Sequence, residues 1–71
     1  MNKQEVLSAM AAAGLERPRV MLVQDNGLFF ELKAGPNDRA LRQSKRIPVT
    51  GTRNCKASKT DVANAIESLT G

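Results

Sequence analysis

The sequence predicts an α+β fold: a small αβββα domain with two helices packed on one face of a two- or three-stranded antiparallel sheet. Three observations carry that prediction. Asn2 followed by Glu5 has the spacing of a capping box at the start of an apolar helical stripe. Asn26-Gly27 sits between two runs rich in β-branched and large apolar residues, the signature of a hairpin. Ser58 and Asp61 then open a second stripe, Val62, Ala65, Ile66 and Leu69. With 71 residues, 1–71 form a single domain.

The elements follow in chain order. A helix begins near Lys3, with Val6, Met10 and Ala13 on one stripe beside Leu7, and Gly14 ends it with Leu15 closing over that end. Pro18 forces Arg17 out of the helical region, so the chain is expected to leave extended. Arg19 to Asp25 and Leu28 to Lys33 are the hairpin strands. A two-residue type I′ loop puts Val23 opposite Phe30 and Met21 opposite Leu32, all four facing the helices. Val20, Leu22 and Phe29 then lie on the outer face. Because that turn needs positive φ, Gly27→Val is expected to cost more stability than Gly51→Val.

Gly35-Pro36-Asn37-Asp38 is turn chemistry, and the following segment reads two ways. Residues 38–45 suit a short basic helix, but Leu41, Gln43, Lys45, Ile47 and Val49 share a face at period two. The second pattern is preferred, giving an irregular or extended approach to a strand near 44–50 that Pro48 assigns to a sheet edge. Gly51 to Ala57 is a polar, basic loop.

Charge is distributed unevenly. Lys33, Arg39, Arg42, Lys45, Arg46, Arg53, Lys56 and Lys59 face one acid, Asp38, whereas the rest of the chain is acidic on balance and the whole carries +4. Such segregation steers polyanions to one surface. Cys55 is the only cysteine and there is no histidine, which excludes an intrachain disulfide and an ordinary zinc site and points to a reducing, cytoplasmic setting. No apolar run approaches the ~20 residues of a membrane span, and the Ala-rich start lacks the form of a signal peptide. A core this small supplies only about 3–5 kcal/mol, so a homodimer is expected, through a Leu22/Phe29 face or the Pro48 edge.

Catalysis has little support. There is no histidine for acid–base work and no glycine-rich phosphate loop, and Glu5, Glu16 and Asp61 occupy places where helix ends ordinarily want acids. Cys55, flanked by Arg53 and Lys56, has cations that favour a thiolate but no base partner; a half-buried loop residue is the simpler reading. The basic residues have the better claim. Arg42, Lys45, Arg46, Arg53, Lys56 and Lys59 are the candidate phosphate contacts, with free N–H groups at the last helix's start as an added anion site. Phe29 and Phe30 are the only aromatic residues, too few for a stacking platform, which favours duplex or structured nucleic acid over single strands.

The order helix, hairpin, strand, helix resembles the plan of double-stranded-RNA-binding domains and of the related HicA toxins. Ala57-Ser58-Lys59-Thr60-Asp61-Val62-Ala63-Asn64-Ala65-Ile66 is similar to the basic start of the final helix in the former, where lysines contact phosphates. Lys56 and Lys59 match that role. Asn26-Gly27 replaces the longer loop through which that family reaches a minor groove. HicA ribonuclease activity rests on a histidine, which this chain lacks, so the resemblance implies binding without cleavage.

The expected function is therefore non-enzymatic nucleic-acid binding, DNA or RNA, through phosphates. The alternative is a small inhibitor or adaptor of the kind phages and plasmids encode, whose basic face masks an acidic protein surface. A basic rim around an apolar patch of Val20, Leu22 and Phe29 is the feature expected of that alternative.

Overall fold

A computed structural model describes residues 1–35, 43–51 and 53–70. Its elements are α1 (Lys3–Ala12), β1 (Arg19–Gln24), β2 (Leu28–Ala34), β3 (Gln43–Pro48) and α2 (Lys59–Thr70). The strands form one antiparallel sheet in the order β1-β2-β3. Both helices pack on the same face of it, as the sequence predicts. No helix among the described residues is long and apolar enough to cross a membrane.

The capping box at α1 is present in both directions. Asn2 Oδ1 accepts from the Glu5 N–H at 2.8 Å, and Glu5 Oε1 accepts from the Asn2 N–H at 3.0 Å. At the other end the Gly14 N–H donates to Ala11 O and the Leu15 N–H to Met10 O, which satisfies the last carbonyls while Leu15 folds back on the core. Val6 and Met10 are wholly buried. Ala13 is exposed, because it lies past the last turn, and half-buried Leu7 and Ala9 flank the stripe instead. Arg17 is not extended. It takes a left-handed φ of +48° ahead of Pro18, and its neighbour Glu16 accepts the Gly35 N–H at 3.0 Å.

The hairpin register differs from the expected one by a single residue. Val20 pairs with Leu32, Leu22 with Phe30 and Val23 with Phe29. The loop uses three residues, Asp25, Asn26 and Gly27, with the Asp25 N–H donating to Gly27 O at 2.9 Å. Gly27 has φ +145°, well beyond the roughly +90° of a type I′ turn. One residue of slip exchanges the two faces of a strand. Val20 and Leu22 therefore lie on the helix side, and Met21 and Val23 lie outside with Phe29. Alternation could not choose between these registers because Val20-Met21-Leu22-Val23 is apolar throughout. β2, which alternates clearly, has the expected faces: Phe30, Leu32 and Ala34 are buried, and Glu31 and Lys33 point outward.

β3 is an edge strand, as Pro48 requires. The Val49 N–H donates to Leu28 O at 3.2 Å, so the odd-numbered residues of β3 face β2 and the Pro48 nitrogen faces the open edge, where no donor is needed. Ile47 and Val49 are buried under α2. The alternative of a helix over 38–45 gives way to strand from Gln43 onward; residues 36–42 lie outside the described residues. In α2, Ser58 Oγ accepts from the Asp61 N–H at 3.0 Å, and Val62, Ala65 and Leu69 are buried with Ile66 beside them.

The loop between β3 and α2 is closed by two backbone hydrogen bonds of 2.9 Å between Thr50 and Lys56. Gly51 starts it with φ +97°, and a Cβ there would lie 2.7 Å from the Asn54 carbonyl oxygen. At Gly27 a Cβ would meet only the Phe29 ring, at 3.3 Å. The expected order of the two glycines is thereby reversed, since a backbone carbonyl in a closed loop cannot swing aside as a ring can.

Candidate nucleic-acid interface

Five elements that reverse direction one after another leave α1 and α2 running the same way. Both helices therefore begin at one end of the domain. The backbone there is stitched together: the Ala57 N–H donates to Met1 O at 2.8 Å, and the Met1 amino group donates back to Ala57 O. The residues that follow these partners, Asn2 and Ser58, are the two N-caps. The positive ends of two helix dipoles thus adjoin.

A groove of about 540 Å³ opens beside this end. Leu22 and Phe30 form its floor, and Asn2, Lys3, Arg53, Asn54, Cys55 and Lys56 form its walls. Phe30 is only 2% exposed, so the ring supports the floor without offering a face for stacking. Lys3, Arg53 and Lys56 are exposed cations around it, and exposed Lys59 follows in the first turn of α2. Cys55 is half-buried, with Sγ 3.6 Å from Gly51 O, in keeping with a loop residue that packs.

The candidate phosphate contacts do not form a single cluster. Arg53, Lys56 and Lys59 stay together at the helix-start end. Lys45 lies on β3, in a separate cleft shared with Asp61, Asn64 and Ser68 of α2. Arg46 is on the outer face of the sheet and its charge is already answered: Nε donates to Glu31 Oε2 at 2.9 Å and Nη1 to Asp25 Oδ2 at 3.2 Å. Lys33 Nζ holds the other Glu31 oxygen at 3.1 Å. Hydrogen bonds from Arg46 and then Lys33 keep the Glu31 carboxyl below its ordinary range. Two acids and two bases make this patch close to neutral, a poor lure for a polyanion. Arg42 lies outside the described residues.

Lys3 is the residue that charge clustering along the chain misses. Fifty or more positions separate it from Arg53 and Lys56, and in sequence it belongs to the acidic remainder. The signal that could have found it is the parity of the elements, which brings both helix starts to one end. The patch of Val20, Leu22 and Phe29 does not form either, because Val20 is buried and Leu22 and Phe29 lie on opposite faces. No protein-family model, no curated protein and no solved structure matches the chain.

Proposed function

We propose that this chain is a non-enzymatic nucleic-acid-binding domain that holds phosphates through Lys3, Arg53, Lys56 and Lys59. The observation that carries the reading is the groove, where cations from α1 and from the loop before α2 meet beside two helix N-termini. Converging cations beside the positive ends of helix dipoles bind phosphate oxygens without regard to sequence. The scarcity of exposed aromatic surface favours duplex or structured nucleic acid over single strands. The resemblance to double-stranded-RNA-binding domains agrees in assigning Lys56 and Lys59 to phosphates.

The inhibitor or adaptor reading retains one supporting observation, the half-exposed Leu22 within the basic rim. Titration of duplex DNA, duplex RNA and single strands at two salt concentrations separates the two. Phosphate binding weakens steeply with salt, because each contact releases counterions. Absence of binding to every nucleic acid at low salt favours the protein-partner reading.

A further inference from the structure

We infer that the outer edge of β1 is a self-association site, where a second copy of this chain adds its own β1 antiparallel to continue the sheet. Met21 and Leu22 are the exposed large hydrophobic residues among those described, 48% and 50% exposed. They are adjacent on one edge strand and so point to opposite faces of the sheet. A partner docking on either face would cover one of them. A strand added at the edge covers both.

The two edges of the sheet differ in the way this requires. β3 is blunted by Pro48 at its open side, whereas β1 has six residues without proline and, among the described residues, no strand pairs with its outer edge. The Asp25 N–H turns toward Gly27, so the odd-numbered residues of β1 face β2. Val20, Leu22 and Gln24 consequently aim their N–H and C=O groups outward. A two-fold axis at Leu22 uses all of them: Leu22 meets the partner's Leu22, and Val20 meets the partner's Gln24. Shifting toward the chain start brings in Pro18, which has no donor.

The same register decides the side chains. Arg19 falls opposite the partner's Asp25, twice by symmetry, and Met21 falls opposite the partner's Val23. Asp25 is largely exposed and can accept from a second guanidinium besides Arg46. The occupant is therefore a second copy, chosen by charge complementarity as well as by free backbone groups. Leu22 also lines the groove, but the self-association test uses no nucleic acid and does not depend on nucleic-acid binding.

Thiol cross-linking on a Cys55→Ser background tests the register. Leu22→Cys places two thiols across the axis on backbones about 5.5 Å apart, within disulfide reach, and oxidised glutathione takes up the two electrons released. Met21→Cys is equally exposed but lies more than about 7 Å from its own copy, so it should cross-link at least ~10-fold more slowly. Sedimentation of the unmodified chain should give a dimer at micromolar concentration. Arg19→Asp should weaken that dimer about 10-fold, and adding Asp25→Arg should restore it, a readout that does not depend on the thiol variants folding. A monomer at millimolar concentration, equal cross-linking of the two thiols, or no rescue by the charge swap overturns the inference.

Discussion

Gly51→Ala is the substitution that bears most directly on how the groove is held. Its φ of +97° is one that a residue with a Cβ enters at a cost of about 1–2 kcal/mol. The new Cβ also falls 2.7 Å from the Asn54 carbonyl oxygen, a separation that real Cβ atoms do not tolerate. Thr50 and Lys56 hold the loop shut on both sides, so the backbone must deform to make room. The total should be roughly 2–4 kcal/mol, of the order that strained backbone and overpacking together produce. For Gly27→Ala the φ penalty is similar but the contact is a ring edge that can turn, so about 1–2 kcal/mol is expected. In a domain this small, 1 kcal/mol moves the melting temperature by roughly 4–8 °C, so thermal unfolding followed by far-UV circular dichroism resolves the two. Losses that are equal, or larger at Gly27, would mean that the Asn54 carbonyl does not close over Gly51.

Two further outcomes follow from named contacts. Glu31 has its carboxyl pKa lowered in the folded chain by Arg46 and Lys33, so the network stabilises the fold above the ordinary glutamate pKa of about 4.3 and the stabilisation is lost as pH falls through the folded value. Glu31→Gln should therefore be less stable than the parent at pH 7 in urea denaturation, with the gap closing as pH falls below the ordinary glutamate range; a gap independent of pH contradicts that role. Met10→Ala removes a wholly buried side chain and should cost about 2–5 kcal/mol, enough to leave the chain largely unfolded at room temperature. A native circular-dichroism spectrum with an unchanged urea midpoint would contradict its place in the core.

What the sequence discloses depends on how local the cause is. Both helix starts are legible because a cap and its partner lie three residues apart, and the edge position of β3 is legible because Pro48 lacks a donor. β2 is legible too, since its alternation of Phe30, Leu32 and Ala34 with charged neighbours admits one face only. β1 is not, because four consecutive apolar residues fit either face and the decision rests on one extra loop residue. The site divides the same way. Arg53, Lys56 and Lys59 are neighbours in the chain and remain neighbours in space. Arg46 leaves them because a strand turns alternate side chains to the far face, where Glu31 and Asp25 wait, and Lys3 joins them only through topology.

On the proposed function, phosphates are held at the helix-start groove and not by net charge alone. The measurement that tests it compares two double reversals of equal charge, Arg53→Glu with Lys56→Glu against Arg17→Glu with Lys45→Glu, in salt-dependent titrations with duplex DNA and duplex RNA. Circular dichroism should first establish that both variants are folded. Losing two phosphate contacts should lower the slope of log affinity against log salt by nearly two on DNA and reduce affinity at ~50 mM salt by a hundredfold or more. The second pair lies outside the groove and should change affinity only a few-fold, through long-range charge. Equal losses from the two pairs would contradict the groove and leave overall charge as the only attraction.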